Sequence, residues 1–498
     1  METSALCPSA DLERCVGVLA FCGILDPTHF RLNCWISHQS LNPEMKVLIV
    51  LAVISTLGLV SAQYDYNLAL KKSILFYEAQ RSGKLTNNRI DWRGDTFLND
   101  GSDVGVDLSG GYFDAGDHVK FGYPFAHSMI FLAWGMIDYR DAYTAAGELE
   151  NGLAALRWGA DWILKATKLD QGKVYGQAGN GGADHAYWGR PEDWPASQVR
   201  PSYAITTSQP GTDLAANYAS ALAATSVAIG SSDAAYSANL LAVARQLYDF
   251  AKTYRGIYSQ SIADAGSYYS AYAYEDELTF AAGMLALATN EQAYKTDAAN
   301  FWNEFGYGTS VQTFFDWDNK MAGIAVLLSR ILGDQKYKTS AQAHCDYWIN
   351  TERRTPKGLV FILEWGSLRH ASNAAFGCLL VADSGIGDAA AYKAFAKQQI
   401  DYALGSTGRS YVVGFGNNPP VKCHHRGASC PDMPAPCGWN EYNSPNPNGQ
   451  VLEGALVGGP DINDNYNDAR DDYRANEVAL DYNAGFQSAL AGLINAGF

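Results

Sequence analysis

The chain has 498 residues and a formal net charge of -16, a balance that excludes nucleic acid and anionic membrane as partners and suits a neutral polymer. With 47% hydrophobic residues it can build a sizeable core, as one large domain or two to three ordinary ones. Thirty tyrosines and twelve tryptophans exceed what packing requires and point to a surface that stacks on flat ligand faces.

The N-terminal region reads separately from the fold. Met45-Lys46 precedes an apolar run over 47–62 that ends in a small-x-small site before Gln63. One basic residue, a short apolar core and a cleavage site after Ala62 describe a secretory signal peptide over 45–62. The run is shorter than the roughly 20 residues a membrane span needs, so no membrane anchor is expected. Residues 1–44, with Cys7, Cys15, Cys22 and Cys34, read as leader upstream of the true start. The mature protein is then a secreted, single-domain 63–498. It keeps Cys345, Cys378, Cys423, Cys430 and Cys437. A small-loop disulfide between Cys430 and Cys437 is expected in an oxidising compartment, and the odd count leaves at least one buried thiol.

From Tyr64 onward, period-3.6 patterning predicts about twelve helices and few strands. They fall near 64–81, 127–140, 147–167, 211–228, 235–252, 274–288, 292–303, 319–332, 337–349, 370–382, 387–403 and 474–496. Connections after odd-numbered helices are long and those after even-numbered ones short. Antiparallel neighbours put every long loop at one end, where unstructured loops of that length are usually functional. Six helical hairpins with one elaborated end predict an all-α fold, an (α/α)6 barrel.

The candidate chemistry lies on those loops. In GGYFDAGDHVKF, residues 110–121, Ala115 and Gly116 separate Asp114 from Asp117, so a tight turn can aim both carboxylates at one spot. Such a pair can hold a water and take its proton; it can equally bind a cation or form a solvated turn. Residues 414–430 carry His424, His425 and Arg426 beside a Pro-rich run. The nearby cysteines match no standard zinc spacing. The acidic run 461–472 lacks the Gly and Glu of an EF-hand. In YNDARDDYRANEVALDYNA, residues 466–484, apolar positions at helical spacing place Glu477 in the first turn of the last helix. A carboxyl against apolar neighbours can stay protonated, as a general acid requires; a helix-start carboxylate that complements the macrodipole is the plainer alternative.

Together these segments closely resemble the family 9 glycoside hydrolases, the cellulase family with an (α/α)6 barrel, over essentially all of 63–498. Tyr466, Asp468, Tyr473, Glu477, Ala479, Asn483 and Ala484 match the family's closing signature, and GGYFDAGDHVKF its other hallmark. The resemblance implies an inverting endo-β-1,4-glucanase acting on cellulose or soluble β-glucan. Glu477 is then the general acid, Asp117 the base, Asp114 a holder of the water, and Asp468 a residue that orients the acid or its neighbours. An inverting pair stands about 6.5–9.5 Å apart. His424 and Arg426 match the family's substrate-contacting His-x-Arg pair. His185 sits where members carry a substrate-binding histidine. Trp365 and Arg369 correspond to a glucosyl-stacking tryptophan and its arginine, with Tyr268 and Trp317 as further cleft aromatics. No cofactor is implied for the chemistry.

Asp276, Glu277 and Asp318 are candidates for a structural calcium, although Tyr272-Ala273 replaces the family's usual Ser-Gly. Cys423 before the histidines and His370 after Arg369 are further departures, bearing on loop rigidity and one sugar subsite. A monomer with a digestive, extracellular role is expected. Chain-end action, mixed-linkage preference, or a non-catalytic carbohydrate-binding relative are the alternatives. One tension stands out: a helix N-terminus lowers the pKa of Glu477, whereas a proton donor needs it raised. Desolvation plus repulsion from Asp468 and the aspartate pair must then prevail.

Overall fold

Twelve helices of eleven residues or more alternate along residues 64–498, the part of the chain that this computed structural model describes. The leader expected over 1–44 and the signal peptide expected over 45–62 lie, with Gln63, outside the described residues. The helices are α1 (Tyr66–Ala79), α2 (Gly122–Asp138), α3 (Leu149–Ala166), α4 (Thr212–Ile229), α5 (Ala234–Thr253), α6 (Glu275–Thr289), α7 (Gln292–Glu304), α8 (Met321–Ile331), α9 (Gln335–Asn350), α10 (Ser367–Asp383), α11 (Ala389–Leu404) and α12 (Leu480–Asn495). Even-numbered helices pack side by side in sequence, and α12 returns to α2, closing an inner ring. Odd-numbered helices lie outside it, as the six-hairpin barrel requires.

Composition explains which helix goes where. In α4 almost every residue is buried, and its Ala-rich sequence TDLAANYASALAATSVAI lets neighbours approach on both flanks. A helix apolar all round belongs inside. Outer α5 buries one stripe instead, with Leu240, Ala244, Leu247, Tyr248 and Ala251 inward at three- and four-residue spacing. The barrel centre is filled by aromatics from several helices and from the connection 305–320: Phe131 lies 4.7 Å from Phe315 and 5.3 Å from Phe376, and Trp134 lies 5.7 Å from Phe280. Each aromatic pair adds about 0.5–1.5 kcal/mol beyond its buried area. Asp65, Asp233 and Asp388 cap α1, α5 and α11 by accepting the N–H of Leu68, Tyr236 and Ala391.

The long connections are 80–121, 167–211, 254–274, 305–320, 351–366 and 405–479. Two of them form a small antiparallel sheet that helical periodicity gave no sign of: β1 (Lys120–Phe121), β2 (Thr167–Lys168), β3 (Lys173–Ala178) and β4 (Ser202–Thr206), with β3 central. Beneath it, Asp100 is gripped by Lys120 at 2.8 Å and Arg200 at 2.9 Å, all three buried. Breaking such a group by removing one partner costs about 3–5 kcal/mol, which ties the first two long loops together.

The last helix departs from its predicted span. Tyr473–Asn476 make one turn, capped by Asp472, and the chain is extended from Glu477 to Ala479 before α12 begins at Leu480. Glu477 pairs with His424 as a parallel bridge and Val478 with Val457 as an antiparallel one. Partners from distant segments satisfy the backbone here, so the apolar spacing of 478 and 479 records burial and not helix. Glu477 is therefore not in a helical first turn.

Among the described residues a disulfide joins Cys430 to Cys437 as expected, and Cys345, Cys378 and Cys423 are buried free thiols. No helix among the described residues is long and apolar enough to cross a membrane.

Candidate active site

Asp114, Asp117 and Glu477 open onto one cavity of about 630 Å³ on the long-loop face. His185, Tyr268, Trp317, Trp365, Arg369, His424 and Arg426 also line it, so ten of the eleven expected catalytic and substrate-binding residues meet there. The exception is Asp468.

The aspartate turn is held from several sides. Asp114 N–H donates to Val119 O at 3.0 Å, and Asp114 O accepts the N–H of Leu480, the first residue of α12, at 2.9 Å. Ala115 N–H donates to Asp117 Oδ1 at 3.0 Å. Gly116 carries no side chain for a physical reason: a Cβ there would lie 2.1 Å from His424 O and 2.9 Å from His425 Cα. Its carbonyl accepts the N–H of Arg426 at 2.9 Å, so the first and last loops are in backbone contact at this residue. Both aspartates are buried. Burial, then the neighbouring Asp117, pushes Asp114 well above the usual carboxylate range, and the hydrogen bond from the Tyr269 hydroxyl opposes this. The Asp114 carboxyl is thereby biased toward its protonated form.

Glu477 is raised to about 7. Burial is the main cause; the indole of Trp365, donating to Glu477 Oε2 at 3.0 Å, lowers it, Asp117 and Asp481 raise it, and Arg369 lowers it. The conflict with a helix dipole vanishes, because Glu477 is the C-terminal cap of a single turn. Asp468 is not among the causes.

Asp468 stands outside the cavity, beside the segment that leads to His424. Its carboxylate accepts the N–H of Val421 at 2.8 Å and of Lys422 at 3.0 Å, fixing the strand-like approach to His424. It orients the histidine loop, and through it the neighbours of the acid, from outside the cavity.

His424 Nδ1 lies 2.7 Å from Arg470 O, which can only accept, so Nδ1 carries the proton and Nε2 is the free acceptor. Burial keeps the ring neutral by lowering its pKa to about 4. Arg426 is buried, donates from Nε to Tyr187 O at 2.9 Å and lies over Trp188. Cys423, the departure before the histidine, packs inward and accepts from Asn448 Nδ2 at 3.2 Å.

Trp365 is 42% exposed, leaving a ring face to the cleft. His185 stands against Tyr268 with ring centroids 4.9 Å apart, and Trp317 packs edge-on to Tyr269. Arg369 lines the cavity but is committed elsewhere: it donates to Asp481 Oδ2 at 2.7 Å and lies 5.2 Å from the Tyr482 ring. His370 is buried behind it, with Nε2 2.9 Å from Arg369, and burial holds it neutral. The expected change at a sugar subsite therefore corresponds to a residue outside the cavity lining.

The sequence reading passed over several contributors. Asp184, Tyr269, Trp188, Tyr482 and Asp481 all touch the expected residues. Asp184 stands next to His185 in the same motif, and Tyr269 next to Tyr268, so adjacency was the available signal.

Buried carboxyl groups gathered in one aromatic-lined cleft on a double ring of helices suit a hydrolase of sugar polymers. The chain matches Glycosyl hydrolase family 9 over residues 66–490 and belongs to that family. It is similar to the endoglucanase structure from the termite Nasutitermes takasagoensis, at 53% identity and a TM-score of 0.85, covering 87% of this chain and 100% of that one. The cellulase Cel9M of C. cellulolyticum, solved with cellobiose, matches at 36% identity and a TM-score of 0.81 over 88% of this chain and 100% of that one. Endoglucanase A of Bacillus pumilus is 43% identical over 449 residues, 87% of this chain. The chain spans 67% of that protein's length.

Proposed function

We propose that this glycoside hydrolase is an endo-β-1,4-glucanase that cleaves internal bonds of cellulose or soluble β-glucan with inversion. The observation that carries the reading is Glu477, raised to about 7, in one cavity with Asp114 and Asp117. Glu477 donates its proton to the glycosidic oxygen as the bond from that oxygen to the anomeric carbon breaks. Asp117 takes a proton from the water that attacks the opposite face, and Asp114 helps hold that water. Tyr269 orients Asp114. His424, through Nε2, and Arg426 contact the sugar hydroxyls, while Trp365, Tyr268 and Trp317 offer faces to the rings. The cellobiose complex of Cel9M supports an oligosaccharide ligand here.

The chemistry requires no cofactor. A structural calcium is a separate proposal, and the residues fit it in part. Asp318 Oδ1 is buried without a partner, and repulsion from Asp316 and Asp276, after burial, raises Asp318 to about 8. A cation there relieves both. Asp276 and Asp318 are the ligands proposed. Lys320 at 3.2 Å and the Tyr123 hydroxyl at 2.9 Å hold Glu277 Oε1, while its Oε2 is buried without a partner and completes the proposed set. Secretion, a monomeric state and a digestive role complete the reading; N-terminal sequencing of the secreted protein, expected to start near Gln63, checks the first.

Glu477→Gln and Asp117→Asn test the mechanism. Each is expected to lose about 10²–10⁴-fold in hydrolysis of carboxymethylcellulose while still binding cellotetraose. The wild type should release the α-anomer first, seen by proton NMR, and lower viscosity quickly. Retained activity in Glu477→Gln, or a β-anomer as first product, refutes the assignment.

A further inference from the structure

Asp184 lies wholly inside the protein beside the proposed base, and the mechanism above gives it no part. Its Oδ1 accepts the N–H of His118, the residue after Asp117, at 3.1 Å. Its Oδ2 has no hydrogen-bond partner among the described residues. That oxygen lies 3.7 Å from an Arg426 nitrogen and 3.7 Å from His185 Nδ1. An oxygen of Asp117 and one of Asp184 stand within 4.8 Å of each other. Asp184 thus touches three loops at once: the base turn, its own helical turn Gly181–His185, and the loop of Arg426.

We infer that Asp184 is a positioning residue for the base: it fixes the backbone that follows Asp117, and its carboxylate offsets Arg426 so that the guanidinium does not draw Asp117 toward a weaker base. This rests on the reading of Asp117 as the base. The groups facing Asp184 make the sign clear. From the base turn come Asp117 and His118, and burial keeps the His118 ring neutral. Arg200, before β4, and Arg426 are the cations, His185 lies beside Asp184 Oδ2, and Tyr268 faces it from 254–274. Without the Asp184 charge the two guanidinium groups at the base turn have one carboxylate fewer set against them. Burial raises Asp184, Arg426 opposes this and Asp117 reinforces it, so removing Asp184 and removing Arg426 act on the base turn with opposite signs.

The test is the pH profile of kcat/KM on soluble substrate. Asp184→Asn keeps an oxygen for the His118 N–H and removes the charge. The acid limb is expected to move down by about one pH unit, with kcat reduced and KM little changed. A limb that stays in place in a folded variant overturns the inference. If Asp184→Asn does not fold, Arg426→Gln carries the test: the Asp184 charge, now unopposed, moves the limb upward, and an unmoved limb overturns the inference. Asp117→Asn, assayed alongside, separates the two readings. If it stays active the base assignment itself fails; if it is dead while both limbs are unmoved, only the role of Asp184 fails.

Discussion

The indole N–H of Trp365 donates to Glu477 Oε2 at 3.0 Å, so the ring offered to the sugar and the proposed proton donor form one unit. The Tyr482 hydroxyl is farther, at 3.5 Å from the same oxygen. A donor favours the charged carboxylate and opposes the burial that keeps the acid protonated.

Trp365→Phe should therefore move the alkaline limb of the rate profile upward. Glu477 works protonated, so activity is lost as pH rises through its pKa of about 7. Removing the indole donor raises that pKa while phenylalanine keeps an apolar face. Loss of a hydrogen bond to a charged group is worth about 1.5–3 kcal/mol, so kcat/KM should also fall by about tenfold or more. A limb that moves downward contradicts the arrangement.

Arg369 and Asp481 set the same residue from the other side. Both are buried, at 2.7 Å, and they act oppositely on Glu477: Asp481 raises it and Arg369 lowers it. Asp481→Asn leaves the guanidinium unpaired, at a cost of about 3–5 kcal/mol. Its alkaline limb should move downward, opposite to Trp365→Phe. Thermal unfolding and a pH profile of one variant measure both effects.

Chelation tests the calcium proposal with a definite sign. An acid whose folded pKa is raised contributes stability below its unfolded pKa, about 3.9 for an aspartate, and loses it as pH rises through the folded value. For Asp318 the folded value is about 8. In EDTA, Tm should fall between about pH 4 and pH 8, and added calcium should restore it most at the upper end. A Tm and metal content unchanged by EDTA at pH 8 rule the ion out.

Much of this architecture is legible in the sequence, for identifiable reasons. Twelve helices repeat a 3.6 period, and alternating loop lengths betray which end carries function, so the barrel and the meeting of Asp114, Asp117, Glu477, His424 and Arg426 follow. What escaped reading depends on partners far along the chain. The extended Glu477–Ala479 exists because His424 and Val457 pair with it, and the local pattern of Val478 and Ala479 imitates a helix. Arg369 lines the cavity, but its pairing with Asp481, 112 residues further on, left no sign in the local sequence. The backbone N–H groups that Asp468 holds, at Val421 and Lys422, lie 47 and 46 residues away and could not be read locally.

Gly116 makes that long-range dependence measurable. Its missing Cβ leaves room for His424 O and His425 Cα, both backbone atoms that cannot rotate away. His424 N–H in turn donates to Asn476 O at 2.8 Å, immediately before Glu477. Alanine at 116 must push the aspartate turn away from the His424 loop, and the spacing between the base and the acid changes with it. Overpacking of this kind costs about 1–3 kcal/mol in stability. A displacement of about 1 Å can cost about 10²-fold in rate. Gly116→Ala should therefore remain folded while losing activity on carboxymethylcellulose far beyond its loss in Tm. Gly94→Ala is the control, because its Cβ meets only the Glu192 side chain, at 3.4 Å. Equal activity in the two variants would show that the loops shift together and that the catalytic spacing is set elsewhere.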